Sequence, residues 1–576
     1  MNEHLGSRVP RGCVLATCLI LANAVAVGIE IDPSVLSAQA ERIKAIAEAK
    51  QSAVSIFVPS GAGGGSGVVI SEDGFALTNF HVSSPAGAYM MCGMADGNIY
   101  DAVIVGIDPV GDLALIKLIG KSKFPAAELG DSNQVDQGDW CMVIGNPFLL
   151  ADDLQPTVTW GIISGVHRYQ YPSGTLLEYA DCLQTDASIN PGNSGGPLYG
   201  ADSRLLGIVG RASFEKRGRV NVGVGYAISI NQAKNFLGYL GSGRIVDHCT
   251  LGATVTTDEG KVVISNILES SDAYRRGLRY GAEILEISGR SVDSANAAQN
   301  VLGTIPKGWR IPVTYRYDGE TSEVLVRTAG VHAEDELLNK MAASMPPPPP
   351  KPKQDENEED RQKIQAAHGK EQELPEAINE IYEAKHGFAN YYFNRLHQQR
   401  LFKALSDQSL SASSPWKIEG PTEDDGPTVE MQLGETPAIS LNGDEPRTLD
   451  ERQMLRAIED QKIDGFSVCL SAWRRLLTAG LEEYGDVYFQ GTAPLRGQWP
   501  LCDVLIATAG EIESRFYFHP ETGRLQAIES WADRFSDPAE VLFEYSDGER
   551  PKSISLYYGM QLASRWKVNS WEADDE

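Results

Sequence analysis

The chain has 576 residues, enough for roughly four domains, so a single core is excluded from the outset. Apolar residues make up 42% and charged ones 22%, the mixture of an ordinary globular protein rather than a fibrous or wholly disordered one. Lys and Arg number 50 against 78 Asp and Glu, a formal charge of −28, which argues against nucleic acid or an anionic membrane as the main partner because both would repel it. The charge is uneven: residues 331–576 hold 45 acidic and 25 basic side chains, hence −20 of the −28, and only 15 of the 57 glycines. The glycine-rich first 330 residues suit many turns between short strands.

At the N-terminus, Arg8 and Arg11 precede an apolar run from Cys13 to Ile29, with the small residues Ala22, Ala24 and Ala26 near its end. This pattern predicts an export signal over residues 1–26, periplasmic or cell-envelope location, and no stable membrane span once the signal is cleaved. Six cysteines remain after it, Cys92, Cys141, Cys182, Cys249, Cys469 and Cys502, with no CxxC pair. Buried free thiols are expected, and zinc ligation has no support.

A short helix is expected from Ser34 to about Ser52. Between Ala53 and Leu240 come short β-branched runs such as Ala102-Val-Ile-Val-Gly106, Leu113-Ala-Leu-Ile-Lys117 and Val222-Gly-Val-Gly-Tyr-Ala-Ile228, separated by Gly, Asp, Asn and Pro. They predict an all-β barrel or sandwich closed by a helix at 231–240, the first domain spanning 34–245. Residues 250–330 form a second unit, with strands near Lys261–Ile267, Glu283–Ile287, Arg310–Tyr317 and Glu323–Arg327 and helices near 271–277 and 294–302. A Pro-rich, acidic linker is expected over 331–360, separating these units from the rest. A helical segment over 361–410 carries the aromatic cluster Tyr382, Phe388, Tyr391, Tyr392 and Phe393, expected to pack against a neighbouring domain. A polar linker over 411–445 and a C-terminal antiparallel α+β domain over 446–576 complete the chain, which is mainly β. His386, His397 and His519 lack ligand spacing and are read as structural or exposed.

The strongest chemical signal is Gln184-Thr-Asp-Ala-Ser-Ile-Asn-Pro-Gly-Asn-Ser-Gly-Gly-Pro-Leu198. A serine hydroxyl is a weak nucleophile and needs both a base within hydrogen-bond reach and donors where an oxyanion will form. Glycines around Ser194 let the backbone turn sharply enough to aim several N–H groups inward. Upstream, His81 follows the strand-like Phe75-Ala-Leu77, and Asp112 opens the apolar run Leu113-Ala-Leu115. The chain order His, Asp, Ser excludes the subtilisin and α/β-hydrolase orders.

The first 330 residues resemble an HtrA/Deg-type trypsin-like serine protease followed by a PDZ domain. The resemblance is carried by Thr78-Asn-Phe-His-Val82, Asp112-Leu-Ala-Leu115, Gly145-Asn-Pro-Phe148, Thr159-Trp-Gly-Ile-Ile-Ser-Gly165, Gln184-Thr-Asp186, Gly192-Asn-Ser-Gly-Gly-Pro-Leu198 and Gly225-Tyr-Ala-Ile228. It implies a chymotrypsin-like double β-barrel with His81, Asp112 and Ser194 meeting in the cleft, and an oxyanion hole at Gly192, Asn193 and Ser194. Asp186 is read as structural. It further implies a primary specificity pocket floored by Ser188 and walled by Tyr226, Ala227 and Ile228; with no carboxylate there, broad cleavage after small or medium apolar residues is expected. Leu251-Gly-Ala253 stands where the carboxylate-binding loop of a PDZ domain would be, followed by Ala273-Tyr-Arg-Arg-Gly-Leu278 and Gly281-Ala-Glu-Ile-Leu-Glu-Ile-Ser-Gly289. Ala253 and Gly281-Ala282 depart from the usual PDZ pattern. Past residue 346 the resemblance ends.

The expected function is therefore that of an exported, ATP-independent serine endopeptidase acting on unfolded or damaged envelope proteins. It would need no cofactor, recognise peptide C-termini through its PDZ domain, and form a homo-oligomer, a trimer by family resemblance. The competing expectation is a PDZ-containing chaperone or scaffold with an idle protease site.

Overall fold

Short apolar runs broken by turn residues fold here into closed barrels, because closure pairs every strand edge while the inward side chains fill the interior. The computed structural model describes residues 31–59, 64–146, 154–170, 176–214, 221–344, 374–422 and 426–573, except 534, 547 and 549. The predicted export signal, Phe148 and the Pro346–Pro350 run lie outside these residues.

Helix α1, Pro33–Ala49, exposes Val35, Leu36 and Ile43. The first barrel is built from β1 (Ala53–Phe57), β2 (Gly64–Val69), β3 (Phe75–Thr78), β4 (Tyr89–Met94), β5 (Ile99–Asp108) and β6 (Leu113–Leu118), closing in the order β1-β2-β3-β6-β5-β4. Its interior holds Ile56, Val69, Met90, Ile104 and Ile116. A one-turn helix α2, Phe80–Ser83, leaves the end of β3. The second barrel comprises β7 (Trp140–Gly145), β8 (Thr157–Gln170), β9 (Tyr179–Thr185), β10 (Pro197–Gly200), β11 (Leu205–Phe214) and β12 (Asn221–Ser229), around Val143, Ile163, Leu183, Leu198 and Val209. Each such side chain taken out of water contributes about 1.5–3 kcal/mol. Helix α3, Ile230–Gly241, follows; the Ser229 hydroxyl accepts from Gln232 N–H at its start, and Phe236 and Leu240 are buried along it.

The next unit is a six-stranded antiparallel sheet of β14 (Ala253–Asp258), β15 (Lys261–Ile267), β16 (Glu283–Ile287), β17 (Arg290–Ser291), β18 (Arg310–Tyr317) and β19 (Glu320–Arg327). Cys249–Thr250 (β13) and Ala329–Gly330 (β20) pair beside it. Its helices are α4, Asp272–Arg275, shorter than the sequence predicts, and α5, Ala295–Leu302, whose N-cap Ser294 accepts from Ala297 N–H. β14 is an edge strand with largely exposed side chains.

Two sequence-based expectations about the remainder are corrected. The stretch 411–445 is not a linker: Trp416–Pro421, Thr428–Leu433 and Ala438–Leu441 are strands, paired in register and extended by Arg447–Thr448 and, on the other edge, by Ser570–Ala573. Its polar composition belongs to the outward face, while Trp416, Ile418, Val429, Met431 and Leu433 alternate inward and are fully buried. A seven-stranded meander from Asp486–Leu495 to Gln561–Lys567 packs with it around helix Gly465–Glu483 in one large core.

Nor does the 331–360 region hold the two halves apart, for residues 48–576 form one unit. Arg310 on β18 is buried against Glu529 at 3.1 Å and Glu540 at 2.9 Å; Arg327 also binds Glu529, and Arg496 also binds Glu540. A buried carboxylate without such partners would be prohibitively costly, so these ion pairs demand that the two regions stay together. The aromatic cluster also joins them: Phe393 packs edge-on to Phe75 of β3 with ring centroids 5.9 Å apart. His397 stacks on Phe489 at 4.5 Å, and burial lowers its pKa to about 4.

Candidate active site

His81 sits on α2 directly after β3, and Asp112 closes the turn between β5 and β6, so adjacent strands of the first barrel present both. His81 Nδ1 donates to Asp112 Oδ2 at 2.8 Å and lies 3.0 Å from Oδ1, which also accepts the His81 backbone N–H at 3.0 Å. Asp112 is fully buried in a left-handed conformation (φ 59°), whereas 41% of the His81 side chain is exposed. Its carbonyl accepts Asn79 Nδ2 at 2.9 Å and Phe80 N–H at 3.2 Å, which ties the turn to the strand carrying His81. Burial disfavours the imidazolium, but the Asp112 charge and hydrogen bond outweigh it and raise the His81 pKa above 6.5.

Ser194 comes from the second barrel and is anchored on the first. Ser66 of β2 donates its N–H to Ser194 O at 2.9 Å and its hydroxyl to Gly192 O at 2.7 Å. Gly192 (φ 105°) and Gly195 (φ 83°) turn the backbone in the left-handed region, and a Cβ on Gly195 would lie 2.2 Å from Ser66 O. The N–H groups of Gly192 and Ser194 have no partner among the described residues, whereas Asn193 N–H is spent on Asn190 O at 2.9 Å. The sequence-predicted oxyanion donor Asn193 is thus turned away in this conformation. Ser194 Oγ donates to Gly210 O at 3.3 Å rather than to His81.

Of the predicted specificity residues, Ser188 is exposed, and its carbonyl accepts Thr159 Oγ1 at 2.9 Å. Tyr226 is half-buried opposite Gln184. Ala227 and Ile228 are corrected as open pocket walls: Ala227 belongs to the core of the second barrel and Ile228 is 1% exposed. Ile189 belongs to the same core at 1% exposed and packs over Gly225, where a Cβ would meet its Cδ1 at 2.2 Å. Asp186 Oδ1 accepts Ile162 N–H at 2.7 Å.

In the second unit, Gly252 (φ 70°) makes the turn between β13 and β14, its N–H donating to Thr250 Oγ1 at 3.1 Å and its carbonyl accepting Leu268 N–H at 2.9 Å. Leu251 is buried and Ala253 opens β14 opposite Ile267. The six cysteines are free and buried. Among the described residues no helix is long and apolar enough to cross a membrane.

Two closed six-stranded barrels joined through a glycine-flanked serine, with a His–Asp pair on the facing turns, are the architecture of a trypsin-like peptidase domain. The family description "Trypsin-like peptidase domain" matches residues 65–208. The chain is 35% identical over 283 residues to a DegP-like periplasmic serine endoprotease of Chlamydia trachomatis, covering 47% of this chain and 55% of that one. It is 33% identical over 274 residues to the periplasmic serine endoprotease DegP of Escherichia coli, covering 45% and 56%. A solved HtrA-type protease, AlgW with a tripeptide, shares 31% identity over 51% of this chain and 98% of its own, with a TM-score of 0.42. The chain thus carries a trypsin-like peptidase domain similar to those of HtrA-type serine proteases. It spans just over half the length of the curated relatives it matches.

Proposed function

We propose that this chain is an exported endopeptidase that hydrolyses peptide bonds of unfolded polypeptides, with Ser194 as nucleophile, His81 as general base and then acid, and Asp112 holding the imidazole. The observation that carries this is the His81–Asp112 pair, at 2.8 and 3.0 Å, beside the Gly192–Gly195 turn on the facing barrel. In this reading the N–H groups of Gly192 and Ser194 receive the developing oxyanion, in a place where such donors act on the transition state more than on the substrate. Substrate side chains enter beside Ser188 and Tyr226, and a serine rather than a carboxylate at position 188 leaves no counter-charge there for Lys or Arg. The exposed edge β14, opened by Leu251-Gly252-Ala253, takes a peptide C-terminus as an added strand in the PDZ manner. The relatives' periplasmic names support export, and the family resemblance supports a homo-oligomer.

A second reading has its own support. Ser194 Oγ donating to Gly210 O rather than to His81 is the arrangement a chaperone or scaffold with an idle protease fold would have. Turnover of casein as an unfolded substrate decides between them. Wild type is expected to degrade it and Ser194→Ala to leave it intact; equal cleavage by both overturns the protease reading, and no cleavage by either favours the scaffold.

A further inference from the structure

The catalytic carboxylate has a partner that neither the sequence motifs nor the family description assigns. Tyr179, the first residue of β9, is 3% exposed and donates its phenolic O–H to Asp112 Oδ2, the same oxygen that accepts from His81 Nδ1. Two further features fit the contact. Glu178 N–H donates to Val110 O at 2.8 Å, tying the start of β9 to the Asp112 turn. Gly210, beside the ring, leaves room for it: a Cβ there would fall 2.5 Å from Tyr179 Cε1 and 3.1 Å from its oxygen.

We propose that Tyr179 is a positioning residue for the triad, fixing the orientation of the Asp112 carboxylate and drawing off part of its charge through the phenolic hydrogen bond. The inference rests on the reading of His81, Asp112 and Ser194 as the triad. With Tyr179 in place, Asp112 Oδ2 shares its electron density between the phenol and the imidazole, and the carboxylate cannot rotate away from Nδ1 without abandoning the phenol. A buried carboxylate that loses a donor holds the neighbouring imidazolium more tightly, since its charge is less dispersed. Removing the hydroxyl therefore raises the His81 pKa further. His81 must be neutral to take the Ser194 proton, so the acid limb of the rate profile moves to higher pH.

The same strand meets the second unit. Asp181 N–H donates to Asn300 Oδ1 at 2.9 Å, Gln299 Nε2 donates to Glu178 Oε1 at 3.1 Å, and Arg290 pairs with Asp181 at 2.8 Å. Tyr179 is thus held in register from α5 and β17 on one side while it holds Asp112 on the other.

The test uses the full chain and a fluorophosphonate probe, which reports nucleophile reactivity without a known substrate. Labelling rates are measured from pH 5 to 9 for wild type, Tyr179→Phe and Ser194→Ala, with thermal midpoints alongside. Tyr179→Phe is expected to label roughly ten-fold more slowly near neutral pH, with its acid limb displaced upward by about one pH unit. Gly210→Ala, whose methyl group displaces the phenol, is expected to move the limb in the same direction, and it serves as the readout if Tyr179→Phe does not fold. A limb unmoved in the folded variant overturns the positioning role, even if the rate falls, because a purely structural contact changes the amount of active protein and not the titration of His81. Ser194→Ala separates the two levels: if it still labels, the triad reading itself fails, whereas a silent Ser194→Ala with an unmoved limb in Tyr179→Phe defeats only this inference.

Discussion

Asp108 ends β5 and Asp112 lies four residues on, just before β6, and each faces a histidine. His81 meets Asp112 at 2.8 Å with 41% of its side chain exposed; His248 meets Asp108 at 2.8 Å with 1% exposed. The first imidazole can present its other nitrogen to a reacting group, while the second has a buried Nδ1 with no partner among the described residues and a ring lying 4.6 Å from Phe236. Asp108 also accepts the N–H groups of Val110 and Gly111, at 3.1 and 2.8 Å, so it braces the turn that delivers Asp112. Gly111 is required for this: a Cβ there would lie 2.4 Å from Asp108 Oδ2 and 2.7 Å from His248 Nε2. One chemical pair thus does two jobs, and solvent access decides which.

If that division is right, removing each histidine should damage a different property. His81→Ala is expected to lower kcat/KM on an unfolded substrate on the order of a million-fold, as loss of a triad base does. Its unfolding free energy should stay within about 1 kcal/mol of wild type, since Asp112 keeps the backbone N–H and the Tyr179 hydroxyl. His248→Ala is expected to do the reverse. It leaves Asp108 Oδ2 buried without its partner and a cavity beside Phe236, a loss of about 3–5 kcal/mol in urea unfolding. The surviving folded fraction should still react at Ser194. An equal activity loss in both variants, or an unaltered unfolding midpoint in His248→Ala, breaks the contrast.

The two pairs also differ in how readable they are. His81, Asp112 and Ser194 are legible because each sits in a short local motif whose purpose can be argued from neighbouring residues. Tyr179 and His248 reach their aspartates across 67 and 140 residues, and no local pattern marks either. The strands at 416–441 carried a usable signal, the alternation Trp416-Lys-Ile418 and Val429-Glu-Met431-Gln-Leu433, which the polar and Pro/Gly-rich composition around it masked. The specificity residues fall between these cases. The family resemblance places Ser188 at the proposed pocket, but which residues of the neighbouring strand face inward depends on register, and a shift of one position turns a pocket wall into core.

A smaller effect separates the pairs by pH. His248 is opposed by burial, but the charge of Asp108 and its hydrogen bond raise the pKa of the folded state above 6.5. A histidine whose folded pKa is raised stabilises the protein fully below the unfolded value, near 6.5, and that contribution is lost as pH rises through the higher folded value. Each pH unit across this window should cost about 1.4 kcal/mol from this residue at most. In the proposed triad His81, also raised, acts on activity in the opposite sense, since a general base works only once its imidazole has lost its proton. Between pH 6.5 and 9, activity is therefore expected to climb while the difference in unfolding free energy between wild type and His248→Gln shrinks. Urea titrations of both proteins across that range measure the difference directly. A difference that stays constant would mean that His248 is neutral in the folded state throughout, and that Asp108 holds it by an uncharged hydrogen bond alone.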